Sequence, residues 1–165
     1  MVKAIDHNRV DAFIRKMNSR LQFTLFLLVK LPIALISGVR VTHLDKNSCT
    51  AKVPYKWLSQ NPFKSTYFAC LSMAAEMSTG ALAIMYTQAS AKRMSMLVTG
   101  MEASFSKKAK GITWFTCQAG GQIEAAVDQA VQSGEPVTIK VVTTGMDKDG
   151  QLIATFNITW SFKAN

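Results

Sequence analysis

Apolar residues recur at helical spacing through residues 6–30. Val10, Phe13, Ile14, Met17, Leu21, Leu25 and Leu28 fall at steps of three and four, and Arg9, Arg15, Lys16 and Arg20 lie mainly on other faces. Asp6 is placed to cap that helix. The period then shortens to two. Val39, Val41 and Leu44 precede the turn Asp45-Lys46-Asn47, and Cys49, Ala51 and Val53 alternate with polar residues after it, which predicts a β-hairpin over 38–55. A connector carrying Trp57 leads to Asn61-Pro62, a helix-start pair, and to a long helix expected over 61–88. One stripe of that helix, made of Phe68, Leu71, Ala75, Leu82, Met85 and Tyr86, is expected to face the core. A second stripe, Ala69, Ser72, Glu76, Gly80 and Ala83, is small except for its single carboxylate.

Strands are expected over 94–106 and 112–118, separated by a tight turn at Lys107-Lys108-Ala109-Lys110-Gly111. Gly120-Gly121 reads as a break before a short helix over 123–132, with Ile123, Ala126, Val127 and Val131 inward, which Gly134-Glu135-Pro136 ends. Strands over 137–144 and 152–162 flank Asp147-Lys148-Asp149-Gly150, a strong hairpin turn. The order of helix, two strands, long helix, two strands, short helix and two strands predicts a single α+β domain over 1–165. It has six mostly antiparallel strands.

Composition changes this picture in three places. Net charge is +9, which invites an anionic partner: nucleic acid, acidic lipid or a phosphate-bearing small molecule. Only Lys107, Lys108 and Lys110 cluster, and no aromatic-basic motif accompanies them, so nucleic acid is not the expected partner. The very apolar run 23–36 is interrupted by Lys30 and Pro32, well short of the ~20 apolar residues of a membrane span. It is expected to pack on the domain, although a basic, apolar helix could also lie on an acidic membrane surface. Cys49, Cys70 and Cys117 are odd in number and widely spaced, so a reducing cytoplasm is the expected compartment. His7 and His43 are too few for a metal cluster, and no metal is expected.

The templates for serine hydrolases, P-loop proteins, zinc proteases and dinucleotide binding are absent. What remains is Glu76, one of two charged residues between Pro62 and Ala91, and the group Asn61, Lys64, Ser65, Tyr67 and Phe68 at the start of the long helix. An acid inside an apolar helix is either paired with Lys or Arg from elsewhere or is a catalytic or ligand-orienting carboxylate. The sequence leaves both readings open. A helix start offers unpaired N–H groups that can hold a thioester carbonyl or a developing oxyanion.

A long helix that follows one hairpin and is wrapped by the remaining strands resembles the hotdog fold. The local pattern resembles the thioesterase branch that includes the phenylacetate-degradation thioesterases. There an Asn precedes His-Gly-Gly by six positions and an acid lies nine beyond the His. Here Asn61 precedes Tyr67 by six and Glu76 follows it by nine. The segment Phe105–Gly111 looks like that family's basic turn near coenzyme A, and the whole chain is similar to a group of hotdog-like bacterial proteins. This resemblance implies an acyl-coenzyme A or acyl-carrier substrate, a homodimer or dimer of dimers with sites at the interface, and no cofactor beyond the coenzyme A of the substrate. It gives Glu76 the role of base or nucleophile and Asn61 that of orienting water or carbonyl. Ser65, Tyr67, Phe68 and Lys64 would bind substrate, and Lys107, Lys108 and Lys110 would meet the coenzyme A phosphates. The departure is Tyr67-Phe68-Ala69 where His-Gly-Gly is expected, which motivates a second expectation, a non-catalytic acyl- or lipid-binding module.

Overall fold

The computed structural model describes residues 4–165. Three helices open the chain: α1 (His7–Asn18), α2 (Arg20–Lys30) and α3 (Pro32–Ser37). The single helix expected over 6–30 is therefore broken at Ser19, whose extended backbone ends α1 and starts α2. Asp6 caps α1 as expected, its side chain accepting from the Asn8 amide at 2.9 Å. The hairpin is β1 (Arg40–Leu44) and β2 (Cys49–Val53). Its turn is held by Asp45 Oδ1, which accepts from the amides of Asn47 and Ser48, both at 2.7 Å. After a single 3-10 turn at Trp57–Ser59 come α4 (Phe68–Ala89), β3 (Met94–Phe105), β4 (Thr113–Cys117), α5 (Gly120–Ser133), β5 (Val137–Met146) and β6 (Leu152–Ala164).

Two sequence expectations fail at helix starts. The long helix begins at Phe68, not at Asn61-Pro62. Asn61 instead closes a loop on itself: its Oδ1 accepts from the amides of Phe63 and Ser65 and from the Ser65 hydroxyl. Lys64 then takes a left-handed backbone (φ 56°) that no helix continues through. Gly120-Gly121 follows the end of β4 as expected but also forms the first turn of α5, which starts at Gly120 and not at Ile123. Gly120 is needed there because the turn rests directly on the β1–β2 turn: a Cβ on it would lie 2.1 Å from the Lys46 carbonyl oxygen.

The six strands form one antiparallel sheet in the order β1-β2-β4-β5-β6-β3. Burial alternates along β2, β4 and β6, so one face is packed and the other wet. Both α4 and α5 pack against the sheet and against each other, and α1 packs against α4 and β1. The core runs through Leu44, Leu82, Met85, Phe115, Ile123, Phe156 and Phe162. By length and composition α4 is the one helix among the described residues that could cross a membrane, but 67% of its most apolar window is buried here. It is the core helix of a hotdog fold: a long helix held in a six-stranded antiparallel sheet.

Polar groups inside the core are matched. The Trp160 indole on β6 donates to Thr79 Oγ1 at 3.0 Å, and the hydroxyls of Ser78 and Thr143 pair at 2.8 Å. Tyr86 donates to the Lys46 carbonyl at 2.7 Å, tying the far end of α4 to the β1–β2 turn. At the sheet margins β1 and β3 each have one unpaired side. The β3 edge is twelve residues long and pairs only with β6.

Candidate functional site

The loop before α4 and the turn after β3 are stitched together. The Thr66 amide donates to the Ala109 carbonyl at 2.8 Å, and the Thr66 hydroxyl donates to the same oxygen at 3.3 Å. Lys108 Nζ reaches the Phe63 carbonyl at 3.4 Å. Between these segments lies a cleft of about 360 Å³, lined among others by Asn61, Ser65, Phe68, Phe105, Lys107 and Lys108. Five of the residues expected from sequence thus meet in one place, although they come from two stretches some forty positions apart. Thr66, Leu71, Phe105, Ser106 and Ala109 complete the lining. Phe105, Ser106 and Ala109 belong to the segment that the resemblance singles out, and only tertiary pairing brings them to Thr66 and Leu71.

At the floor of the cleft α4 starts without a side-chain cap. Tyr67 donates its amide to the Ser59 carbonyl at 2.7 Å, and its carbonyl accepts from the Cys70 and Leu71 amides. Among the described residues, the amides of Phe68 and Ala69 reach no backbone acceptor. They are orphan donors at the positive end of a 22-residue helix.

Lys64, Tyr67, Glu76 and Lys110 are not among the residues that line this cleft. Phe68 lines the cleft and is 57% exposed, so its expected place in the core-facing stripe is wrong; Cys70 and Leu71 of the same turn are the ones that enter the core. Tyr67 is 45% exposed and packs edge-on against Phe68, with ring centres 4.9 Å apart. Lys64 sits at the exposed tip of the Asn61 loop. Lys110 lines a neighbouring hollow of about 300 Å³ with Trp114, Asp147 and Lys148, to which Lys107 and Lys108 also contribute. Lys107 is held there by the Gln151 side chain.

Glu76 lies two turns further along α4, about 12 Å from Phe68 by helical rise, and is not part of the cleft lining. It is half-buried beside Gly80 and Trp160. Among the described residues no ion pair includes it. Burial alone pushes its carboxyl above the usual carboxylate range, with no opposing cause. Gly80 makes the room: a Cβ there would lie 2.7 Å from Glu76 Oε1 and 3.4 Å from Trp160 Cζ2. Gly80→Ala is expected to swing the carboxylate to another rotamer while leaving stability within about 1 kcal/mol, since the gain in helix propensity offsets the crowding. Thermal melts and a pH titration of Glu76 by NMR check both halves.

Comparison with known proteins agrees with this architecture. PA5026 of Pseudomonas aeruginosa, a protein of unknown function described as a probable thioesterase, superposes with a TM-score of 0.73 at 19% identity, over 91% of this chain and 99% of that one. The protein OLEI01261 of Chlorobaculum tepidum, of unknown function, gives 0.74 at 14% identity over the whole of both chains. A mutant of the thioesterase PA1618 of Pseudomonas aeruginosa gives 0.67 at 14% identity, over 93% of this chain and 99% of that one. No curated protein matches in sequence. The profile of one family does match, across residues 19–162, from the break before α2 to near the end of β6. The chain belongs to that family, described as a domain of unknown function (DUF4442), and carries it on a hotdog fold.

Proposed function

We propose that the protein acts on acyl thioesters of coenzyme A or of an acyl-carrier protein, at a site completed by a second copy of the chain. The observation that carries this reading is the cleft, lined by Asn61, Lys107, Lys108 and Phe68, the residue that opens α4 and whose amide has no backbone acceptor. The thioester carbonyl would accept from the Phe68 and Ala69 amides, which stabilise the oxyanion as it forms. Lys107 and Lys108 would meet the phosphates of the carrier as point charges. Asn61 keeps an amide group whose Nδ2 donates only a long 3.4 Å contact to the Thr66 carbonyl, leaving a donor to orient water or carbonyl.

Glu76 is too far along α4 to serve the cleft of its own chain. Antiparallel pairing of two β3 edges would carry Glu76 of the partner subunit toward the cleft, and the bare twelve-residue edge supports that assembly. There Glu76 would take a proton from water as the oxygen adds to the carbonyl carbon, and would return it to the thiolate as the carbon–sulfur bond breaks. Burial raises its pKa, which makes the carboxylate a stronger base than a free one. The neighbours called thioesterases support the reaction class.

Phe68 and Ala69 stand where the resembling thioesterases have glycines, and the Phe68 ring lines the cleft. That observation favours one second reading, an acyl-binding module without turnover. The deciding experiment is thiol release from a panel of acyl-coenzyme A substrates, run beside native mass spectrometry of the acyl complexes. Turnover lost in Glu76→Ala supports hydrolysis. Tight complexes with no turnover support the binding module, and neither binding nor turnover removes both.

A further inference from the structure

Helix α2 is apolar on both sides. Phe23 and Leu27 are buried against the domain, while Leu21, Leu25, Leu28 and Val29 follow one another at steps of four, three and one on the outside. Leu21 is 70% and Val29 72% exposed. The pattern continues past Pro32: Leu31, Ile33 and Ile36 are exposed as well, making seven bare large aliphatic side chains within sixteen residues. Beyond α3, which packs against the 3-10 turn at 57–59, stand Trp57, 79% exposed, and Leu58. A helix apolar all round is normally enclosed by protein or by lipid. This one is enclosed on one side only.

The charge around this face is one-sided. Between Ala12 and Ala75 the sequence carries nine lysines and arginines and a single acid, Asp45, whereas the rest of the chain is nearly balanced. No acidic residue lies in α2 or α3. Lys16 and Lys30 rim a shallow hollow of about 380 Å³ whose floor is Leu25, Phe26 and Val29. Residues 12–75, fewer than half of the chain, therefore carry +8 of the net charge of +9 and bear the bare aliphatic face, with Lys46 of this stretch paired to Asp11.

We infer that α2, α3 and the Trp57 turn form a docking face for an anionic phospholipid bilayer, with the aliphatic side chains entering the headgroup boundary and Lys16, Arg20 and Lys30 meeting lipid phosphates. Each part has its counterpart in such a surface: apolar depth for the leucines, negative charge for the basic rim, and an interfacial layer for an exposed indole. A second copy of the chain fits less well, because a symmetric contact would set the same basic rims against each other. An acidic protein would match the charge but leaves seven aliphatic side chains without a reason. The face also lies on the β1 side of the fold, to which α1 is packed, and not at the β3 edge. Docking and dimer formation through β3 are thus compatible.

The test is flotation of the full chain with phosphatidylglycerol vesicles and with phosphatidylcholine vesicles in about 0.1 M NaCl. The inference expects strong partition to the first, little to the second, and a decline as salt rises. Lys16→Gln/Arg20→Gln/Lys30→Gln is expected to lower partition to the anionic vesicles about 100-fold, and Leu25→Ser/Val29→Ser about tenfold or more. All five side chains lie on the surface, so both variants are expected to keep the native melting curve. Trp57 gives a readout on the unmodified protein: brominated phosphatidylglycerol should quench its emission, and Trp57→Phe should remove that component. No binding, equal binding to both lipids, or variants that bind like the native chain would overturn the inference. So would a change in sedimentation size caused by Leu25→Ser/Val29→Ser, which would assign the face to a second copy. None of these readouts depends on catalysis.

Discussion

Glu76→Gln is expected to abolish thioester hydrolysis, by about a hundredfold to ten-thousandfold, while leaving the protein as stable at pH 7 as before or more stable. The two halves have one cause. Burial raises the folded-state pKa of Glu76 above its unfolded value, and no cation opposes it. Between those two values the folded chain holds the proton more tightly than the unfolded chain, so stability falls as pH climbs through that window. Glutamine has no proton to lose, and the variant should therefore gain on the native chain as pH rises, with the two converging in acid. A structural ion pair predicts the reverse, a loss of about 3–5 kcal/mol at neutral pH from the stranded cation. Melting curves across pH, beside initial rates at saturating substrate, separate these outcomes. A variant that melts far below the native protein at pH 7 would end the catalytic assignment.

Gly120→Ala is expected to destabilise by about 3 kcal/mol, near the upper end of what an added methyl does in a packed site. The added Cβ would meet backbone, the Lys46 carbonyl at 2.1 Å and Asn47 Cα at 2.6 Å, and backbone cannot rotate away. The shift would stretch the bond from the Gly120 amide to the Asn47 carbonyl (2.9 Å) and disturb the Lys46 carbonyl that Tyr86 uses. For a chain of this size the melting temperature should drop by about 6–12 °C. Gly121→Ala is the control: nothing lies within 4 Å of its Cβ position, so it should be neutral or mildly stabilising. Equal effects of the two substitutions would show that helix propensity, not the approach of α5 to the hairpin turn, governs this corner.

Local chemistry made much of the fold legible. Asp45 and Asp147 each bind the amides of their own turn, so both hairpins can be placed from a few residues. Asp6 capped α1 for the same reason. The misreadings arose where one residue pattern serves two geometries. Asn61-Pro62 can open a helix or close a loop, and what decides is the left-handed Lys64 together with the distant Thr66–Ala109 bonds. Gly120-Gly121 can stand before a helix or form its first turn against another segment, and only the packing of α5 against Lys46 distinguishes them. Of the site, the resemblance assigned Asn61, Ser65 and Phe68 and the pair Lys107 and Lys108 to one substrate, and the structure joins them in one cleft. The distance of Glu76 along the helix follows from its spacing, whereas its surroundings beside Gly80 and Trp160 were hidden, because only packing brings β6 there.

The three thiols offer a clock for how the molecule opens. Cys49 and Cys117 sit opposite each other on neighbouring strands in the middle of the sheet, and both are sealed from solvent. Cys70 lies in the first turn of α4, next to the Asn61 loop. Burial pushes all three thiols up, so none offers a thiolate while its surroundings stay closed. Alkylation followed by mass spectrometry should then run in two stages. Cys70 should react first, when the helix start frays, and Cys49 and Cys117 should follow together at the rate of global unfolding. An unmodified protein would thereby report whether the cleft region loosens independently of the sheet beneath it.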